Sequence, residues 1–355
     1  MKKERTVYLD YIRVLATIAI VVLHVTAWNW SYVDARSFTW NTFNFYNGCV
    51  RWAVPAFLMI SGALFLRKDI EIKVIYSKYI LRLVVIYIVW AAFYAWIVPL
   101  IKLILEPGYE LPYKTILYDM IGGAVHMWFL PMIIGIYMCI PIIRLIVKDQ
   151  KTAVYFLILA MIFSCLIPTF ANLSNDFGGG VYAEIVNRIN GVVSNVEVDM
   201  ILGYVSYFVL GYVLSNIVMT QRQRAVVLIL GAAGFLGTVL LDAVVAWKTQ
   251  TPCSTYYDSF SVNVACQAAA VFVYFQYRSY PNEKLNAAVA KLSEYSFGVY
   301  LVHVIIIDML YIVGIDTLRF LPAVSVPVIS AAVAAVSYVF SAVVHRIPVL
   351  KKWIV

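Results

Sequence analysis

The feature that most constrains this chain is the recurrence of apolar runs of about twenty residues from one end to the other. As a helix rising 1.5 Å per residue, such a run crosses the roughly 30 Å of bilayer hydrocarbon. Lipid offers no hydrogen bonds to a backbone, so each run must satisfy its own peptide groups, which a helix does. Ten runs stand out, at 9–31, 44–66, 79–104, 127–148, 152–171, 198–219, 225–246, 260–278, 295–313 and 323–345. The expected fold is therefore all-α, a polytopic transmembrane bundle of about ten helices, with 1–355 forming one membrane domain. The first run is expected to be retained. It carries Arg13 and ends in "TAWNW" without a small-residue cleavage site.

An even number of spans puts both termini on one side, and the basic residues choose which. Of 27 Lys and Arg, 20 fall on the side of the N-terminus, including Lys2, Lys3, Arg5 and Lys352, and 7 on the other. By the positive-inside rule both termini are expected in the cytoplasm, in a bacterial-type cell membrane crossed many times. The net charge of +8 is then accounted for by cytoplasmic loops and needs no nucleic acid. The five cysteines form no CxxC pair, so no disulfide framework is expected. Segments 105–126 and 172–197 are expected as outer loops, with "DFGGGVY" in the second as a flexible hinge.

Against this background the ionisable residues inside the spans stand out, because each is costly in lipid and marks a functional hypothesis. Arg13 and His24 lie eleven residues apart in the first run, which places them on one helix face about 16 Å apart along the axis. Arg13 reads equally as an interfacial anchor paired with Asp10, and His24 as a helix–helix hydrogen-bonding group. Counting depth along the spans sets Asp308 and Arg51 near the level of His24, which suggests a His24–Asp308–Arg51 polar cluster. Ser296, Tyr300 and His303 share one face of the ninth span. His126, with Trp128, opens the fourth span at its outer end, where it could touch a substrate. His345 sits at a helix end beside Arg346. Four histidines on four spans without an HExxH pattern argue against a metal site. The aromatic residues at 28–32 and Trp40 suit either an interfacial belt or stacking on sugar rings.

Four segments, in order, resemble the acyltransferase-3 family of integral membrane acyltransferases. "YLDYIRVLATIAIVVLH" is similar to its first helix, a basic residue, ten others, then His. "VPAFLMISGALFL" (54–66) resembles its Phe-Leu-x-x-Ser-Gly helix, and "HMWFLPMIIGIY" (126–137) its His-x-Trp-Phe-Leu segment. "SEYSFGVYLVHVII" (293–306) resembles its Ser-x-Gly-x-Tyr-Leu-x-His helix. Within the family the chain is most similar to the stand-alone surface-polysaccharide O-acyltransferases. The resemblance implies transfer of an acyl group, most simply acetyl, from cytoplasmic acetyl-CoA to a hydroxyl of a cell-surface or lipid-linked glycan, with Arg13 and His24 essential. It also implies a basic Arg-x-x-Arg element for CoA. Here Arg82 is kept, but Tyr79 stands at the first position with Lys78 beside it.

The chemistry fits that role. A glycan hydroxyl attacks a thioester poorly unless a base takes its proton, and histidine suits that task near neutral pH. His24 could equally take the acyl group itself. Ser61 and the Gly62 backbone are candidates to steady the thioester oxygen, though close packing of small residues explains them as well. His126, Trp128, Arg51, Tyr300, His303 and Asp308 are candidates on the acceptor side. No metal is expected. The competing class is a transporter or flippase using Arg13, His24, Arg51 and Asp308 as a substrate or proton site. No internal repeat supports it.

Overall fold

The computed structural model describes residues 6–194 and 203–353. Lys2, Lys3 and Arg5 lie outside the described residues, as do residues 195–202, where the expected second outer loop would pass into the sixth span.

Among the described residues every regular element is helical. The chain begins with α1 (Val7–Trp30), α2 (Phe38–Gly48) and α3 (Ala53–Phe65). The short α4 (Ile72–Val74) passes through a π-turn at Ile75–Ile80 into α5 (Leu81–Leu105). After α6 (Tyr113–Gly122), a 3-10 turn at Val125–Trp128 leads into α7 (Phe129–Val147). Next come α8 (Gln150–Ala160), α9 (Ile167–Leu173) and α10 (Gly180–Ser194), with π-turns at Met161–Leu166 and Ser174–Gly178 between them. The remainder is α11 (Val205–Asn216), α12 (Gln221–Thr249), α13 (Val262–Gln276), α14 (Glu283–Ile312), α15 (Pro322–Val344) and α16 (Pro348–Trp353).

Among the described residues eight helical stretches are long and apolar enough to cross a membrane, which makes this a polytopic helical membrane protein. Of the ten expected runs, the sixth (198–219, of which 198–202 lie outside the described residues) and the eighth hold shorter helices. There α11 has 12 residues and α13 has 15, or about 18 Å and 22 Å of helix. Helices this short are accommodated by packing into the protein. A Cβ on Gly62 of α3 would sit 1.7 Å from the carbonyl oxygen of Phe208 in α11, and one on Gly211 of α11 would sit 2.0 Å from that of Met59 in α3. The two backbones therefore touch through paired glycines. α13 packs against α12 in the same way, where Gly231 and Gly234 admit Ala270 and Asn263.

The two expected outer loops are also partly helical. Segment 105–126 contains α6, and 172–197 contains α10 within its described part. "DFGGGVY" holds the end of a π-turn and a helix break, with Gly179 (φ 62°) and Gly180 (φ 52°) in the left-handed region. Helix starts follow side-chain caps visible in the sequence. Thr220 and Gln223 form a capping box on α12, and Asn282 caps α14. Asp149 caps α8, where the Thr152 N–H and hydroxyl, each 2.8 Å away, hold its carboxyl below the ordinary carboxylate range.

α1 is central to the bundle and packs against α14, α3, α15 and α2. Its Leu9, Ile12, Ala16, Ala19 and Ile20 are buried, whereas Leu15 and Ile18 point outward from the bundle. The helix thus presents one side to apolar neighbours and another to the outside, leaving Arg13 and His24 on a third.

Candidate active site

That third side of α1 faces a cavity of about 1020 Å³. Arg13, Ile20 and His24 line it at spacings of seven and four, so a single helical stripe runs along its length. α14 supplies a matching stripe of Ser293, Ser296, Phe297 and Tyr300, and α3 supplies Val54, Phe57, Ser61 and Phe65.

One part of the cavity is rich in cations. Arg13 donates to the Ser293 hydroxyl at 2.7 Å and pairs with Asp10 at 3.4 Å. Lys78, Tyr79 and Arg82 come from the π-turn and the first turn of α5. A π-turn widens the helix locally, which lets Ser77, Lys78 and Tyr79 reach one cavity wall in succession. Tyr79, standing where the resemblance implies an arginine, packs with Phe65 (ring centres 5.0 Å apart) and Tyr137 (6.5 Å). Ser61 donates to the Phe57 carbonyl at 2.9 Å and lies within hydrogen-bonding reach of the Tyr137 phenol. From the C-terminal segment, His345 and Lys351 also line the cavity, and α16 rests against α5.

The far part is built of imidazoles and aromatic rings. His24 lies 5.0 Å from His303 and 6.2 Å from His126, and His126 lies 5.3 Å from His303, all between ring centres. Three histidines that the sequence set on three separate spans thus meet at one point. The Tyr300 hydroxyl donates to the carbonyl of His126 at 2.9 Å, tying α14 to the 3-10 turn that carries His126 and Trp128. His126 is 2% exposed, so it belongs to the interior and not to the outer surface where counting residues put it. Among the described residues, no group of His, Cys, Asp or Glu has an arrangement that could hold a metal ion.

Other candidates fall elsewhere. Gly62 is taken up by its contact with Phe208 and is not part of the cavity wall, so close packing accounts for it. The expected His24–Asp308–Arg51 cluster is not assembled. Arg51 lies in the turn between α2 and α3, stacks on Tyr257 at 4.1 Å and donates to Asn47. It remains within electrostatic reach of His24, but the carboxylates that act on it are Asp242 and Asp258. Asp308 is eight residues past Tyr300, a rotation of about 80° from the stripe that faces the cavity, and it does not line the cavity. His303, five residues earlier on α14, is the side chain that stands beside His24. Tyr137, Ser293 and Lys351 were missed. Tyr137 closes the "HMWFLPMIIGIY" motif and Ser293 opens "SEYSFGVYLVH", so motif membership was the available signal for both.

The comparison with known families decides the class. A family model described as an acyltransferase domain matches residues 6–345. The chain belongs to the acyltransferase-3 family. It is a membrane acyltransferase, and that assignment sets aside the transporter class. No curated protein and no solved structure matches it.

Proposed function

We propose that this acyltransferase moves a short acyl group, acetyl in the simplest case, from acyl-CoA to a hydroxyl of a surface or lipid-linked glycan. The supporting observation is that one continuous cavity joins a cluster of cations to His24. Arg13, Lys78, Arg82 and Lys351 are suited to the phosphates of CoA, since charge-assisted hydrogen bonds are the strong ones. A pantetheine arm is an extended chain of the same order of length as the roughly 16 Å between Arg13 and His24 along α1.

In the proposed step the glycan hydroxyl attacks the thioester carbonyl carbon. The new C–O bond forms, His24 takes the hydroxyl proton, and the C–S bond breaks. The proton then passes from His24 to the departing CoA sulfur, leaving the base as it began. The Tyr137 phenol, beside Ser61, is a donor next to the Arg13 part of the cavity. Trp128, 45% exposed and lining the cavity, offers a ring for the sugar. The 20-to-7 distribution of basic residues supports a cytoplasmic donor side and a bacterial plasma-membrane location.

The test combines purified protein with acetyl-CoA and mass spectrometry of surface glycans from cells with and without the gene. The proposal expects acceptor-dependent release of CoA and a glycan mass lower by one acyl group when the gene is absent. Unchanged glycans together with no thioester consumption would remove this donor–acceptor pair.

A further inference from the structure

Beyond the base itself, we propose that His303 is a positioning residue that accepts the N–H of His24 and so fixes which His24 nitrogen is bare toward the cavity. This rests on the reading of His24 as general base.

The tautomer of His303 follows from its contacts. Its Nδ1 lies 2.8 Å from the Tyr300 carbonyl oxygen and 3.2 Å from that of Val299. Carbonyl oxygens only accept, so Nδ1 carries the proton and Nε2 presents a lone pair. That Nε2 is buried without a partner, in a side chain that is 0% exposed. Leaving a buried acceptor unmatched is costly, so a site that keeps one is poised to receive a donor.

His24 is that donor. An N–H···N bond between two imidazoles spans roughly 2.9 Å, plus about 1.1 Å from each nitrogen to its ring centre, which makes a centre separation of about 5 Å. The two rings stand 5.0 Å apart, the separation such a bond needs. His126, with its ring centre 5.3 Å from that of His303, is the other imidazole near the His303 Nε2, and His24 is the nearer of the two; the His24→Ala background below separates them. A neutral His24 has one N–H. Given to His303, it leaves the other nitrogen free to take the hydroxyl proton, which is the logic of a base oriented by a third group. When His24 becomes the imidazolium, His303 keeps its own proton and stabilises the N–H it already accepts.

Two polar variants separate positioning from packing. His303→Asn keeps a donor near the Tyr300 carbonyl but carries no acceptor as far out as Nε2. His303→Gln reaches that far and carries a carbonyl oxygen there. The expectation for His303→Asn is a kcat lower by at least about tenfold with the KM for acetyl-CoA unchanged, the pattern of a change in the chemical step and not in donor binding. His303→Gln should recover most of that loss. In a His24→Ala background neither variant should reduce turnover further, since the function lost runs through His24. Equal activity of the Asn and Gln variants, whether high or low, would overturn the proposal, as would a full additional loss in the His24→Ala background. A fully active His24→Ala protein would instead overturn the base assignment itself, whatever the His303 variants did.

Discussion

The molecule buries two clusters of ionisable and polar groups at membrane depth, and they are put to different uses. Around Arg51 the groups are joined to one another. Asp242 accepts from the Cys253 thiol and the Tyr256 N–H, each at 3.1 Å, and the Tyr256 hydroxyl donates to Asp176 at 2.9 Å. The Tyr257 hydroxyl donates to Asn44 at 2.5 Å, and Asn44 in turn donates to the Val239 carbonyl at 2.9 Å. Nε of Arg51, Oδ2 of Asp242, Oδ1 of Asn263 and Oε1 of Gln267 go unmatched there, but each of these side chains keeps another polar or ring contact. Around His24 the balance is reversed. Nε2 of His303 lacks a partner, His126 has only the Leu301 backbone within reach, and a large cavity lies alongside. Paired polarity ties α2, α12 and the segment before α13 together. Unpaired polarity beside open volume is what a reacting group requires.

The sharpest way to break this contrast is His24. His24→Ala should cut acyl transfer by at least about 100-fold, the lower end for general acid–base catalysis, with acetyl-CoA binding little changed. His24→Gln should be inactive as well. A well-expressed Gln variant acylating at the wild-type rate would place the chemistry elsewhere.

Next in size is Arg82→Ala, which should weaken acetyl-CoA binding by about 1.5–3 kcal/mol, the range for a hydrogen bond to a charged group. Equilibrium binding to purified protein measures it, and unchanged affinity would move the donor site away from the π-turn wall.

The Arg51 cluster should respond in the other currency. Asp242→Ala should lower thermal stability in detergent by about 1–3 kcal/mol, because it strands the Tyr256 N–H and the Cys253 thiol, while kcat per folded molecule holds. Lost turnover at unchanged stability would join the two clusters into one site. The smallest effect is expected at the exposed Lys351, where Lys351→Ala should weaken donor binding by about 0.2–1 kcal/mol and more so at low salt. A salt-independent loss would argue against a phosphate contact there.

Much of this was legible in the sequence, because lipid leaves few options. Apolar runs repeated along the chain dictate helices, and a helical repeat puts Arg13 and His24 on one face whatever surrounds them. Four ordered motifs were enough to suggest the family, and the family match over 6–345 upheld it. Helix neighbours and helix rotations were decided only by the tertiary structure. Depth counting set Asp308 and Arg51 beside His24, yet the side chains that meet His24 there are His126 and His303. A residue's position along its own helix follows from chain length alone. Its azimuth and partners follow from contacts such as that of Gly62 with Phe208, where two backbones close on each other and turn every other side chain on α3 to its place.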